Sequence, residues 1–218
     1  LWQSHFWLLK TPLTFNKGND MDFLPIKRAL LSVTDKSGLK EFAEFLHSRQ
    51  VEIVSTGGTM KFLKEAGLPV TAVESVTSFP EILNGRVKTL HPKIHGGILA
   101  DKDNPEHMET LKKHEIAPFD LVCVNLYAFA SALQKKLPVR NMVEEIDIGG
   151  PCLMRATAKN FHSMLVLPDP KYYLRAMEEI KNPNGVSLAF RKEMSAQTFK
   201  ITSEYDAMIS LYLEGVGV

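Results

Sequence analysis

The stretch Ile26-Lys27-Arg28-Ala29-Leu30-Leu31-Ser32-Val33 decides the fold of this 218-residue chain. It is a short, mostly apolar run, which is typical of a strand buried in a parallel sheet. A polar loop over residues 34–38 follows, and apolar residues between Leu39 and Leu46 then recur at helical spacing. The segment therefore predicts a strand, a loop and a helix, in that order.

The same order of elements recurs along the chain. Further apolar runs, which predict strands, lie at residues 51–54, 70–73, 119–126 and 164–167. Segments with helical periodicity lie between or after them, at residues 60–66, 105–114, 152–158, 172–180 and 188–213. Strands that alternate with helices form parallel sheets covered on both faces. The sequence thus predicts an α/β fold of three layers, a mostly parallel sheet between helices, with additional C-terminal helices.

The N-terminal residues differ from the rest of the chain. Residues 1–25 precede the first strong strand pattern, and chain termini are often poorly ordered. We therefore expect residues 1–25 to form an extension outside the fold, and residues 26–214 to form one domain.

Composition excludes several classes of function. The net charge is +1, with 44% hydrophobic and 23% charged residues, which gives no general attraction to nucleic acid or to a membrane surface. No apolar run approaches the roughly twenty residues that a membrane span needs. Cys123 and Cys152 have neither metal-ligand spacing nor the pattern of a disulfide framework. These features favour a soluble protein in a reducing, cytoplasmic setting.

Two loops that follow predicted strands have the composition of an anion site. Ligands of open parallel sheets bind at the carboxyl ends of the strands. The loop after the first strand contains Ser32, Thr34 and Lys36, and the loop after the second is Ser55-Thr56-Gly57-Gly58-Thr59. The second loop precedes a helix, whose free N–H groups suit a phosphate. An ordinary turn with a helix cap is the alternative interpretation, since neither nucleotide-binding glycine motif is present.

The stretch from Gly85 to Leu99 combines basic residues with glycines. Arg86, Lys88 and Lys93 are available to an anion, and the Gly96-Gly97 pair is expected to let the backbone turn or approach a ligand closely. A solvated basic loop remains an equal alternative on composition alone.

The histidines of that stretch do not predict a metal site. Pro92 is expected to disfavour a regular helix through His91 and His95, and no glutamate follows His91. We expect no metal.

Polar residues at the ends of later elements are further candidates. Asn125 and Tyr127 end the most apolar strand, Asp147 precedes a second glycine turn, and Lys159 follows two helical turns later. Structural roles are the alternatives: a half-buried aromatic for Tyr127, a helix cap for Asp147 and a solvated helix position for Lys159.

Taken in order, these segments resemble the IMP cyclohydrolase domain of the bifunctional AICAR transformylase/IMP cyclohydrolase family, from about residue 28 to about residue 213. The matching segments are Ser32–Gly38, Ser55–Thr59, Phe79–Glu81, Gly85–Pro92, Asn125–Tyr127, Ile146–Pro151, Arg155–Asn160 and Tyr205–Asp206.

The resemblance implies a methylglyoxal-synthase-like fold, a homodimer and a reaction without cofactor or metal. That reaction closes 5-formamidoimidazole-4-carboxamide ribotide (FAICAR) to inosine monophosphate (IMP) with loss of water. The catalytic residues that it implies are Lys88, Tyr127, Asp147 and Lys159. The implied substrate-binding residues are Ser32, Thr34, Lys36, Thr56, Gly57, Gly58, Thr59, Arg86, Thr89, Asn125, Gly149 and Gly150. Full-length family members add a transformylase domain that uses 10-formyltetrahydrofolate, and we expect that domain to be absent from these residues.

Two other functions are possible on the same fold. Methylglyoxal synthase resembles the chain less, because the Gly-Gly-Asp catalytic segment of that family is missing. A non-catalytic module that senses nucleotides or phosphate is the second alternative, but it would not need the four catalytic residues together.

Overall fold

The computed structural model describes residues 22–127, 129–135 and 137–215. Its strands are β1 (Phe23–Leu24), β2 (Arg28–Ser32), β3 (Glu52–Ser55), β4 (Thr71–Ala72), β5 (Leu121–Val124), β6 (Leu165–Leu167) and β7 (Val186–Ser187). Five of them form a parallel sheet in the order β4-β3-β2-β5-β6, with β2 at its centre. Strands β1 and β7 form a separate antiparallel pair.

Helices lie between and after the strands, and those over Val73–Thr77, Pro92–Leu99, Phe129–Gln134 and Val139–Glu144 lie where the sequence predicts no helix. The helices are α1 (Leu39–Ser48), α2 (Gly57–Glu65), α3 (Val73–Thr77), α4 (Pro92–Leu99), α5 (Pro105–Lys113), α6 (Phe129–Gln134), α7 (Val139–Glu144), α8 (Gly149–Lys159), α9 (Tyr173–Lys181) and α10 (Leu188–Gly215). Short 3-10 turns lie at Leu83–Gly85 and Pro170–Tyr172.

The sheet separates two hydrophobic cores. Successive strand side chains point to opposite faces, so Ala29 and Leu31 join one core while Leu30 joins the other. Helices α1 and α9 cover the first face, where Phe42 and Tyr173 stack at 4.7 Å between ring centroids. Helices α3, α4 and α8 cover the second face. The predicted three-layer α/β fold with a mostly parallel sheet is confirmed.

A third, smaller apolar cluster lies beside the sheet. It consists of Phe129, Ala132, Met142 and Tyr205, and we call it the satellite core. These residues come from α6, α7 and the second half of α10. The satellite core therefore ties the long C-terminal helix to the segment between β5 and α8.

The fold begins before residue 26. Residues 1–21 of the expected extension lie outside the described residues, but Phe23 and Leu24 pair with β7, and Leu24 is buried. The backbone passes Gly185 so closely that a Cβ there would lie 2.4 Å from the carbonyl carbon of Leu24. A strand of two residues is too short for a periodic pattern, so only its distant partner reveals it.

The expectation about Pro92 is wrong. Residues 92–99 form α4, with Pro92 in its first turn, where proline costs no hydrogen bond. His91 caps this helix, and its Nδ1 accepts the N–H of Lys93 at 3.1 Å. Proline breaks a helix in its interior, but in the first turn it favours a helix start.

The expectation that Gly96 and Gly97 form a turn is wrong as well, because both lie inside α4. A Cβ on Gly97 would lie 2.9 Å from the carbonyl oxygen of Ala117 and 3.1 Å from the ring of Phe119. Gly97 thus allows α4 to pack against the segment that leads into β5. Among the described residues, no helix is long and apolar enough to cross a membrane.

Candidate active site

A cavity of about 670 Å³ opens at the carboxyl ends of β2, β3 and β5. The loops after these strands line it, together with residues 84–90 and the first turn of α8. All but one of the predicted site residues lie here: Ser32, Thr34, Lys36, Thr56, Gly57, Gly58, Thr59, Arg86, Lys88, Thr89, Asn125, Tyr127, Asp147, Gly149 and Gly150. The topology gathers them because parallel strands end at the same edge of the sheet.

The first turn of α2 lines this cavity. The helix begins at Gly57, which has a φ of +54°, so the predicted glycine loop is itself the first helical turn. N–H groups of a first turn have no partner within the helix. The hydroxyl of Thr56, the residue before the helix, donates to Glu74 Oε1 at 3.4 Å instead of capping the helix. The turn can therefore offer its N–H groups to an anion.

Two of the predicted binding residues hold a loop rather than presenting polar atoms to the cavity. The hydroxyl of Thr59 bonds both the N–H and the carbonyl oxygen of Val33, each at 2.9 Å. Asn125 Oδ1 accepts the N–H groups of Thr34 and Asp35 at 2.7 and 3.0 Å. Its Nδ2 donates to the backbone carbonyl oxygen of Asp35 at 3.0 Å. These side chains position the loop after β2, since their polar atoms already have protein partners.

Both basic residues of the loop before α4 are paired with glutamates. Lys88 Nζ lies 2.9 Å from Glu81 Oε2. Arg86 forms a two-point ion pair with Glu144 at the end of α7, and its Nε lies 3.1 Å from Oε2. The second pair therefore links two walls of the cavity.

The backbone between Ile82 and Val87, which pair with each other, is unusual. Leu83, Asn84 and Gly85 all have positive φ, at 54°, 53° and 88°. This conformation turns the chain sharply, so that Arg86 and Lys88 reach the cavity.

Asp147 is the most constrained of the predicted catalytic residues. Its Oδ1 accepts the N–H of Gly150 at 2.9 Å, and its own N–H donates to Tyr205 Oη at 2.8 Å. A Cβ on Gly150 would lie 2.3 Å from Asp147 Oδ2, so only glycine fits beside this carboxylate. Burial raises the pKa of Asp147 above its ordinary value, against the opposing effect of the Gly150 and Tyr127 N–H groups.

The remaining predicted catalytic residues differ in position. The Tyr127 side chain lies at the cavity wall and is half exposed. Lys159 is exposed and is the last residue of α8, whose first residues line the cavity. At 1.5 Å per residue, its Cα lies about 15 Å along the helix from Gly149. The structure does not bring Lys159 to the cavity of its own chain.

Glu81, Glu144 and Tyr205 contribute to this site without having been predicted from the sequence. Glu81 and Tyr205 lie in segments that carry the family resemblance, which was the available signal, whereas Glu144 had none. Among the described residues, no group of three or more His, Cys, Asp or Glu side chains could hold a metal ion.

This fold and this site define the class of protein. A family model described as "MGS-like domain" matches residues 38–152, more than half of the chain, and the chain belongs to that family. A second model, described as "AICARFT/IMPCHase bienzyme", matches residues 157–217. The resemblance to the cyclohydrolase part of this bienzyme family is confirmed.

Individual relatives agree with the two models. The chain is 53% identical over 188 residues to "Bifunctional purine biosynthesis protein PurH" of Clostridium botulinum strain Hall, covering 86% of this chain and 38% of that protein. It is 52% identical over 187 residues to the protein of the same name from Clostridium perfringens strain SM101, covering 86% and 37%. The chain thus spans less than two-fifths of the length of these relatives.

A solved structure shares the fold. The one titled "Crystal structure of ForH" superimposes with a TM-score of 0.75 at 29% identity, covering 84% of this chain and 95% of the other.

Proposed function

We propose that this chain is an IMP cyclohydrolase, which closes FAICAR to IMP with loss of water. The observation that carries the proposal is one cavity that joins an anion-binding helix start to Lys88, Tyr127 and Asp147. The helix start would hold the substrate phosphate, and the side chains of Lys88, Tyr127 and Asp147 would surround the reacting groups. The similarity to bifunctional purine biosynthesis proteins supports the same reaction.

The reaction needs a proton acceptor and a stabiliser of negative charge. The carboxamide nitrogen attacks the formyl carbon, and the C–N bond forms as charge develops on the formyl oxygen. That oxygen receives one proton from the carboxamide nitrogen and a second from the formamide nitrogen, and it leaves as water. Both reacting groups belong to one substrate, so its orientation supplies much of the rate enhancement.

The side chains of the cavity have the chemistry for these steps. Ionised Asp147 accepts the hydrogen of the carboxamide nitrogen, which orients and deprotonates it. Lys88 donates to the developing oxyanion and assists the departure of water. Tyr127 positions the substrate from the cavity wall. Arg86, once released from Glu144, and Lys36 add positive charge beside the phosphate.

Lys159 can take part only from another copy of the chain. The family resemblance implies both its catalytic role and a homodimer, and in one chain it lies at the far end of α8. Under the proposal, Lys88→Ala and Lys159→Ala homodimers are each impaired. A mixture of the two regains activity, because a mixed dimer contains one complete site. No gain on mixing would remove Lys159 from the mechanism.

The direct test is to add FAICAR to the purified chain and to follow IMP by absorbance. Lys88→Ala and Asp147→Asn should each lower kcat by about 100-fold or more. Lys200→Ala, an exposed lysine paired with Glu204, is the control and should not change kcat. Binding of IMP without turnover of FAICAR would instead favour the nucleotide-sensing module. The homodimer is a proposal that rests on the family resemblance, and the cytoplasmic setting is one that rests on the cysteine usage of the chain. Formyl transfer from 10-formyltetrahydrofolate, which the resemblance implies for full-length family members, is not assigned to these residues.

A further inference from the structure

We propose that Tyr205 is a positioning residue of this site, whose phenol oxygen fixes the turn that carries Asp147. The inference rests on the proposed cyclohydrolase function for its catalytic consequence. Its structural basis, a hydrogen bond between two distant segments, can be tested independently of that function.

The hydrogen bond satisfies a backbone group that the helix leaves free. Asp147 precedes α8, so its N–H has no partner within that helix. Tyr205 Oη accepts this N–H at 2.8 Å, and the Tyr205 side chain is buried, with 6% of the residue exposed. Loss of the phenol would leave this part-buried N–H without its partner, which is unfavourable, and the phenol therefore fixes the backbone at Asp147.

The position of the backbone determines the position of the carboxylate. Asp147 Oδ1 accepts the N–H of Gly150, and Gly150 leaves no room for a Cβ beside Oδ2. The carboxylate is thus confined between its own main chain and the first turn of α8. A shift of the turn at residue 147 would move the carboxylate relative to the substrate.

Tyr205 is itself held by the satellite core. Its ring packs edge-on against Phe129 at 6.2 Å between centroids. The Phe129 N–H in turn donates to the backbone carbonyl oxygen of Tyr127 at 2.8 Å. The satellite core consequently supports two predicted catalytic residues, Tyr127 through Phe129 and Asp147 through Tyr205. Among these contacts, the phenol oxygen of Tyr205 is the atom that touches the Asp147 turn directly.

Tyr212 provides a matched control on the same helix. It lies two turns beyond Tyr205 on α10, and its ring also packs edge-on against Phe129, at 5.8 Å. Tyr205→Phe and Tyr212→Phe each remove one phenol hydroxyl from a ring that packs in the satellite core. The first should lower kcat for FAICAR roughly 10- to 100-fold with little change in KM, since small displacements of a reacting group are costly. The second should leave both constants unchanged.

Two further measurements separate positioning from general stability. The pH dependence of kcat should move in Tyr205→Phe and not in Tyr212→Phe, because Asp147 then ionises in an altered environment. In an Asp147→Asn background, Tyr205→Phe should cause no further loss of the residual kcat. Equal losses in the two phenylalanine variants, or full additivity with Asp147→Asn, would overturn the proposal.

Amide hydrogen exchange tests the hydrogen bond without any turnover. Exchange at the Asp147 N–H should be faster in Tyr205→Phe than in the wild type and unchanged in Tyr212→Phe. Unaltered exchange in Tyr205→Phe rejects the inference whatever the activity is. If the wild type does not convert FAICAR but the exchange rates behave as expected, the proposed reaction fails while the positioning of Asp147 by Tyr205 stands.

Discussion

Lys88 Nζ lies 2.9 Å from Glu81 Oε2, and both side chains lie against Gly85, which has a φ of +88°. A Cβ on Gly85 would lie 2.8 Å from Lys88 Cε and 3.0 Å from Glu81 Oε1. Lys88 Nζ also lies 3.4 Å from the place where Gly57 would carry a Cβ. The ammonium group is therefore close both to its carboxylate partner and to the helix start that suits a phosphate.

Glu81→Gln should lower kcat for FAICAR by up to about tenfold, because Lys88 loses the partner that orients its side chain. The free energy of unfolding should change by less than about 1 kcal/mol, since side chains that are 28% and 39% exposed form a weak ion pair. Steady-state kinetics and urea denaturation measure the two effects. Glu65→Gln, which breaks the exposed Lys61–Glu65 pair on α2, is the control. Wild-type kcat in Glu81→Gln would show that Lys88 needs no partner.

Glu144→Gln should tighten the binding of IMP by up to about fivefold, the equivalent of about 1 kcal/mol. The substitution frees Arg86 from a competing carboxylate, so that the guanidinium can meet the phosphate without first breaking an ion pair. Isothermal titration calorimetry measures the change.

Glu193→Gln is the matched control for Glu144→Gln, because Arg175 and Glu193 form a similar two-point pair at 2.6 and 2.7 Å on α9 and α10. It should not alter the Kd. Equal affinities in Glu144→Gln and the wild type would mean that Arg86 does not contact the ligand.

Asp147→Asn should lower kcat by about 100-fold or more and raise stability at neutral pH. Burial raises the folded-state pKa of Asp147 above its ordinary value of 3.8, so ionisation disfavours the folded state. The wild type therefore loses stability as the pH rises from about 3.8 through the folded-state pKa. Asparagine does not ionise, so the difference in unfolding free energy should grow over that interval and be smallest in acid. Urea denaturation from pH 3.5 to pH 7 tests this sign, and a pH-independent difference would contradict it.

Gly97→Ala should destabilise the fold by about 1–3 kcal/mol, because a methyl group there meets the backbone oxygen of Ala117 and the ring of Phe119. Gly96→Ala should be neutral or stabilising by up to about 1 kcal/mol. Its methyl group approaches only side-chain ends, Ile116 Cδ1 at 3.3 Å and Leu111 Cδ2 at 3.9 Å, and alanine favours a helix. Thermal unfolding distinguishes the two neighbours. Similar losses in both variants would mean that α4 does not pack through Gly97.

Local patterns predicted much of this molecule. The spacing of apolar residues predicts strand β2 and helix α1, because that spacing depends on which side of a short segment faces the core. The cavity was placed at the correct edge of the sheet, because parallel strands direct their following loops to one end. Two wrong predictions concern α4, where the first-turn proline and the packing of Gly97 depend on context.

The sequence by itself thus determined the α/β order and which loops surround the candidate site, since both follow from spacing within one or two helical turns. Only the tertiary structure decided which polar atoms remain available there. It shows that Asn125 holds the loop after β2, that Glu144 pairs with Arg86, and that α8 carries Lys159 away from its own cavity. The physical reason is that a side chain's partner is set by segments that pack together from distant parts of the chain. The periodicity of a short segment cannot predict which distant segments pack against it.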